Sequence, residues 1–139
     1  MKTVIVPIEG YTGYFISNKG KVYCNLGKGN RDRTKTVEMY EVKPRPGKNG
    51  YMRVYARSDK TGKRKDLYVH RLVALHFIPN PHGKKWVNHK NCKRWDNDVR
   101  NLEWSTAKEN NDYTFKMNRM YRDELGRLTG YFVLRRKVS

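Results

Sequence analysis

The sequence predicts an α+β fold, with a small antiparallel β-sheet region at the N terminus followed by a unit in which strands alternate with helices. Short aromatic and β-branched runs, separated by turns rich in glycine and asparagine, fill the first half of the chain. Near Val69 the spacing of apolar residues changes to that of a helix. The length of 139 residues fits one ordinary domain or two very small ones.

Several strands are predicted before residue 70. Residues 14–17 and 21–24 are expected to form a hairpin around the turn Asn18-Lys19-Gly20. Residues 37–42, 51–56 and 65–69 predict three further strands that make a small antiparallel sheet. Between these two groups, residues 25–35 are rich in Gly, Asn, Lys and Arg, and they are expected to form a mobile basic loop.

The second half predicts the order helix, strand, loop, strand, helix. Positions 69, 72, 73, 76 and 77 lie on one helical face, and Pro79 ends that helix. Residues 86–88 and 102–105 can pair as strands joined by the polar loop 90–101, with Trp86 and Trp104 expected to pack beneath that loop. Residues 106–109 match a capping box, so a helix should begin at Thr106 and place Asn110 just past its first turn.

The chain is strongly basic, which indicates the nature of its partner. It has 31 Lys and Arg residues against 13 Asp and Glu, a formal charge of +18. A compact fold with this charge repels itself unless a polyanion neutralises it. Its 10 tyrosines, 3 tryptophans and 4 phenylalanines can form a core, stack on bases or do both. Nucleic acid is therefore the expected partner.

The cysteines and the hydropathy pattern restrict the class of protein further. Cys24 and Cys92 do not form a Cys-x-x-Cys pair, so a four-thiolate zinc site is excluded. Reduced thiols are expected, with a single disulfide as the alternative. The N terminus has too short an apolar run for a signal peptide, and no later segment approaches membrane-spanning length. A soluble, cytoplasmic protein with no membrane partner is expected.

Three blocks in the second half resemble successive motifs of the HNH homing-type endonucleases of phages and their hosts. They are VHRLVALHFIPNP at 69–81, VNHKNCKRWDNDVRNLEWST at 87–106 and KENN at 108–111. The segment IEGYTGYFISNKGKVYC at 8–24 is similar to the module that precedes the nuclease in such phage enzymes and contacts DNA. The resemblance implies a ββα-metal nuclease unit at 69–118, a basic β-rich DNA-binding region at 1–68 and a C-terminal extension at 119–139.

The resemblance also implies a metal-dependent hydrolysis of DNA phosphodiester bonds, in the cytoplasm of the host cell if a phage encodes the protein. His89 would be the general base and Asn101 would fix its ring through a hydrogen bond. Asn88 and Asn110 would bind one divalent metal, Mg²⁺ or Mn²⁺. Many relatives carry aspartate at position 88, so the neutral amide here predicts weaker metal binding and a greater dependence on the DNA phosphate.

Basic side chains are expected to hold double-stranded DNA through its phosphates. His70, at the start of the first helix, could touch a phosphate or merely cap the helix. The complete set of predicted contacts is Arg31, Arg33, Lys35, Arg45, Lys48, Arg53, Arg57, Lys63, Arg64, His70, Arg71, Lys90, Lys93 and Arg94. A monomer with one site would nick one strand, and the sequence leaves the oligomeric state and the target site open.

Two other functions fit parts of the same pattern. A non-catalytic RNA-binding protein would share the charge and the aromatic residues. A decayed nuclease would still bind DNA but would have lost its metal, because position 88 is uncharged. The ordered set of asparagines around His89 favours the nuclease over both.

Overall fold

The structure is a computed structural model that describes residues 1–27 and 36–120, with the side chains of these residues up to Tyr113. Within that part of the chain it is an α+β protein built from antiparallel strands and two helices, which confirms the predicted fold class. The strands are β1 (Ile5–Pro7), β2 (Tyr14–Ser17), β3 (Val22–Leu26), β4 (Thr36–Val42), β5 (Arg45–Pro46), β6 (Met52–Arg57), β7 (Arg64–Tyr68), β8 (Trp86–His89) and β9 (Leu102–Ser105). The helices are α1 (Val69–Phe77) and α2 (Ala107–Met120), and a 3₁₀ turn at Val99–Asn101 precedes β9.

The first sheet has the strand order β1-β2-β3-β4. Its centre is the predicted hairpin, in which β2 pairs with β3 around a turn that contains Gly20 at φ +82°. The prediction that residues 37–42 join the later strands is wrong, because β4 pairs with β3. Tyr40 reinforces this pairing by donating its hydroxyl hydrogen to the Leu26 carbonyl at 2.9 Å. The predicted basic loop begins later than expected, because Asn25 and Leu26 belong to β3.

The second sheet has the strand order β5-β6-β7. Side chains of a strand point alternately to its two faces. Val54 and Ala56 of β6 are accordingly buried in the core. Arg53, Tyr55 and Arg57 point to the other face, which we call the outer face of the second sheet.

One hydrophobic core joins the N-terminal strands to the second half of the chain. Ile16, Val22 and Val54, from the first and second sheets, belong to the same buried cluster as Val73 of α1 and Val87 of β8. Each fully buried aliphatic side chain of this kind contributes roughly 1.5–3 kcal/mol. The predicted boundary at residue 68 therefore lies within a shared core.

The strands β8 and β9 form a two-stranded ribbon that leads into α2. Thr106 caps α2, since its Oγ1 accepts a hydrogen bond from the Glu109 backbone N–H at 3.1 Å. Trp104 packs against the core and donates its indole N–H to the Ile78 carbonyl at 3.0 Å. Trp86 is 52% exposed, so the expectation that it packs beneath the loop is wrong.

Two further observations bear on the class of protein. Cys24 and Cys92 are both buried thiols. Among the residues that the structure describes, neither helix is long and apolar enough to cross a membrane.

Candidate active site

A cavity of about 180 Å³ forms where β8, the loop after it and α2 meet. β8 brings in Asn88 and His89, which are only 7% and 5% exposed. α2 contributes Asn110. The residues that line the cavity are Tyr51, Val87, Asn88, His89, Cys92, Arg94, Asn110 and Asn111. Three of the four residues predicted for catalysis and metal binding therefore meet in one place.

His89 is held as a neutral imidazole. Its Nε2 lies 2.8 Å from Oδ1 of Asn97. An amide oxygen can only accept, so Nε2 carries the hydrogen, and Nδ1 of the neutral ring keeps a lone pair. Burial lowers the pKa of His89, an effect that the hydrogen bond to Asn97 opposes. The ring can therefore accept a proton at neutral pH.

Asn101 does not make the hydrogen bond to the imidazole that the resemblance implies. Its side chain instead accepts from the Asn91 backbone N–H at 3.0 Å and donates to Asn91 Oδ1 at 2.9 Å and to the Asp96 carbonyl at 2.8 Å. The 3₁₀ turn aims this amide across the loop, while Asn97 points at the ring. Asn101 thus holds the loop that carries Asn97.

The position of Asn110 depends on how α2 is docked. The Tyr113 hydroxyl donates to the Lys90 carbonyl, which ties the first turns of α2 to the loop after β8. Lys84 forms an ion pair with Glu109 at 3.0 Å. These contacts, together with the Thr106 cap, bring Asn110 beside the residues of β8.

A family model described as HNH endonuclease matches residues 67–112, the part of the chain that contains all of these elements. Over these residues, which we call the HNH domain, the chain is similar to HNH endonucleases. The HNH domain thus begins with the last residues of β7 and ends within α2.

Relatives extend the similarity beyond the HNH domain. An uncharacterized HNH endonuclease, L247 of Acanthamoeba polyphaga mimivirus, is 38% identical over 108 residues, which are 76% of this chain and 24% of that protein. The DNA endonuclease I-HmuI of Bacillus phage SP01 is 38% identical over 105 residues, 74% of this chain and 52% of that protein. The chain thus spans about a quarter and about half of the length of these two relatives.

A solved structure is similar as well. It is titled DNA binding and cleavage by the HNH homing endonuclease I-HmuI, and it superposes with a TM-score of 0.62 at 32% identity. The match covers 82% of this chain and 59% of that chain. It therefore extends well beyond residues 67–112.

HNH nucleases generally use a divalent metal ion, and the donors of this cavity are compatible with one. Among the described residues no group of three or more His, Cys, Asp or Glu side chains could hold a metal. The cavity is lined by the carboxamides of Asn88, Asn110 and Asn111, whose oxygens are of the kind that binds hard cations. Because the Asn88 Nδ2 donates to Glu103 at 2.9 Å, its Oδ1 remains for a ligand. Oxygen donors of this kind fit a hard cation that keeps several waters.

His70 is buried in the HNH domain, at 7% exposure, and it is not among the residues that line the cavity. Its ring stacks on Tyr51, with centroids 4.7 Å apart, and lies 5.2 Å from the ring of His89. Burial, followed by the nearby His89, lowers the pKa of His70 to about 3. The guanidinium of Arg94 covers the same tyrosine ring at 4.2 Å.

The predicted phosphate contacts fall into several groups. Arg45, Arg53, Arg57 and Arg64 lie on the outer face of the second sheet, where Asp66 pairs with Arg53 at 2.6 Å. Lys48, Lys63, Lys90 and Lys93 are exposed, and Arg94 lines the cavity. Arg71 donates to the Lys85 carbonyl at 2.8 Å. Arg31, Arg33 and Lys35 lie outside the described residues, as does the extension from residue 121 onward.

Sequence reasoning missed several residues of the site, among them Tyr51, Asn97 and Glu103. Tyr51 was read only as the start of a strand. Asn97 was not distinguished from the other asparagines of its loop. Glu103 could have been found, because pairing 86–88 with 102–105 places it near Asn88 in the ribbon.

Proposed function

We propose that the protein is a metal-dependent endonuclease that hydrolyses phosphodiester bonds of double-stranded DNA. The observation that carries the proposal is the cavity of the HNH domain, in which a neutral imidazole lies beside the carboxamides of Asn88 and Asn110. A proton acceptor next to oxygen donors for a cation is the combination that phosphodiester hydrolysis requires.

In the proposed mechanism, His89 is the general base. Nδ1 takes a proton from a water molecule as that water attacks phosphorus, and Asn97 holds the ring through Nε2–H. The bond from phosphorus to the 3′ oxygen breaks, and a proton from solvent completes the 3′-hydroxyl while the phosphate stays on the 5′ end. Asn101 contributes indirectly by fixing the loop of Asn97.

Asn88 and Asn110 are the proposed metal ligands, with Mg²⁺ or Mn²⁺ as the ion. When bound, a divalent ion supplies Lewis-acid stabilisation of the charge that develops on the phosphate and the leaving oxygen. Neutral amides hold such an ion less strongly than carboxylates do. The DNA phosphate is therefore expected to complete the site.

DNA binding is proposed to rely on the basic side chains near this cavity. Arg94 lines the cavity and is the cation best placed to meet the scissile phosphate. The arginines on the outer face of the second sheet would hold the flanking backbone. A monomer with one such cavity would nick one strand, so a double-strand break would need a second site or a second event.

A plasmid assay tests the proposal. Supercoiled DNA is incubated with the native chain in Mg²⁺, Mn²⁺ or EDTA, and the open-circular product is measured. His89→Ala is expected to lower the cleavage rate by about 10²–10⁴-fold, the usual contribution of a general base, while DNA binding is retained. Asn110→Ala is expected to lower cleavage at limiting metal. His82→Ala, which removes an exposed histidine away from the cavity, is the matched control.

Other outcomes would select other functions. Tight DNA binding without cleavage in either metal would indicate a decayed nuclease, as the uncharged Asn88 allows. A preference for structured RNA over duplex DNA would indicate the RNA-binding alternative. Cleavage by His89→Ala at the native rate would contradict the assignment of the base.

A further inference from the structure

A hydrogen bond across the β8–β9 ribbon restrains the side chain of Asn88. Glu103 lies directly opposite Asn88 in the strand register, and Asn88 Nδ2 donates to Glu103 Oε1 at 2.9 Å. Glu103 is half-buried and lines a neighbouring cavity of about 310 Å³ that also contains Lys84 and Lys90. The pair therefore connects this second cavity to the cavity of the HNH domain, which Asn88 lines.

The chemistry of a carboxamide makes this contact important for cation binding. Only the oxygen of Asn88 can bind a cation, because the amide nitrogen is a donor with no free lone pair. An ionised carboxylate can only accept hydrogen bonds, so the end of Asn88 that faces Glu103 must be Nδ2. Glu103 thus determines which way the amide is turned. An aspartate at position 88 would need no such control, because both of its oxygens bind cations.

We propose that Glu103 is a positioning residue that keeps Oδ1 of Asn88 available to a divalent cation and supplies a nearby negative charge that Asn88 lacks. The inference rests on the function proposed above. Partners that orient a metal ligand typically change metal affinity by about 10–100-fold when they are removed.

The test measures Mn²⁺ binding to the 139-residue chain without DNA, by titration with detection of free Mn²⁺ in electron paramagnetic resonance. Glu103→Ala is expected to weaken Mn²⁺ binding by about tenfold or more. Glu103→Gln should give an intermediate loss, since its amide oxygen still accepts from Asn88 but the charge is gone. Glu41→Gln, the same charge change at an exposed position of β4, should leave Mn²⁺ binding unchanged.

Glu103→Ala in the Asn88→Asp variant distinguishes a positioning role of Glu103 from a general contribution of Glu103 to the stability of the fold. In the Asn88→Asp variant, both oxygens of the side chain can bind the cation and the side chain carries its own negative charge, so Glu103→Ala should cost much less Mn²⁺ affinity than it does in the native chain. Thermal unfolding of each variant shows that the comparison is made on folded protein. If Glu103→Ala does not fold, Glu103→Gln in both backgrounds provides the same comparison.

The failures of the two proposals can be told apart. Native-like Mn²⁺ binding by folded Glu103→Ala, or an equal loss in the Asn88→Asp background, would overturn the role of Glu103 alone. A native chain that neither binds Mn²⁺ nor cleaves DNA would overturn the proposed function and the role of Glu103 with it.

Discussion

At the scale of single residues, His70 is an uncharged imidazole enclosed beside His89. Its Nδ1 is buried and, among the described residues, has no hydrogen-bond partner. Its ring contacts the rings of Tyr51, Tyr68 and His89, with centroids 4.7, 5.5 and 5.2 Å away. Protonation would bury a charge without compensation, which is costly. The folded state therefore favours the neutral form of His70.

Because the folded state favours neutral His70, we expect acid to lower the free energy of unfolding. A free histidine has a pKa near 6.5, and burial lowers the pKa of His70 in the folded state to about 3. The unfolded chain thus binds the proton more readily, so stability is fully present above pH 6.5 and is lost as pH falls toward 3. The loss from His70 is about 2–3 kcal/mol between pH 7.5 and pH 4.5. Urea unfolding at these two pH values measures it.

The variant His70→Gln tests whether His70 causes this pH dependence of stability. It removes the titrating group, so its free energy of unfolding should change less between the two pH values than that of the native chain. His82→Gln, which changes an exposed histidine, should retain the native pH dependence. An unchanged pH dependence in His70→Gln would contradict the assignment.

At the scale of elements, the first hairpin supports the loop that orients the imidazole. The Val99 backbone N–H donates to the Asn18 carbonyl at 2.9 Å, which ties the turn of the hairpin to the loop after β8. A Cβ atom on Gly20 would lie 2.6 Å from the Asn97 carbonyl oxygen. The absence of a side chain at Gly20 thus permits the approach of Asn97, the partner of His89.

Gly20→Ala is therefore expected to impair both folding and cleavage. A left-handed backbone costs a non-glycine residue about 1–2 kcal/mol. The overlap with Asn97 should add about 1–3 kcal/mol and shift the hydrogen bond to His89. Gly10→Ala is the matched control, because Gly10 has a φ of +83° but nothing within 4 Å of an added Cβ. Equal unfolding free energies and equal cleavage rates of the two variants would contradict this role for Gly20.

The same elements show what the sequence could predict. Local patterns located the hairpin, α1, the ribbon of β8 and β9 and the Thr106 cap, because alternation, helical spacing and capping act over a few residues. The pairing of β4 with β3 was missed, since it is a long-range choice between equally suitable strands. Asn97 and Asn101 have the same chemistry in one polar loop, and only the backbone path through the 3₁₀ turn decides which of them meets His89.

At the scale of the whole molecule, the formal charge of +18 dominates the expected behaviour toward DNA. Each phosphate that is neutralised releases counterions, so the logarithm of the affinity should fall linearly with the logarithm of salt concentration. With six or more contacts, affinity should drop by about 10³ or more between 50 and 200 mM salt. Replacing Lys48 and Arg64 by Gln should reduce the slope by about two. Fluorescence anisotropy with a labelled duplex measures the slope, and a slope near zero would contradict binding through phosphates.

The core shared across residue 68 also bears on how the proposed nuclease could be engineered. A chimera that carries only residues 69–118 would leave behind Ile16, Val22 and Val54, and with them much of the apolar surface against which α1 is buried. It would also lose Tyr51, the ring that stacks on two histidines. A transplant to another targeting protein should therefore begin upstream of Ile8 and take the whole strand-rich half as its scaffold.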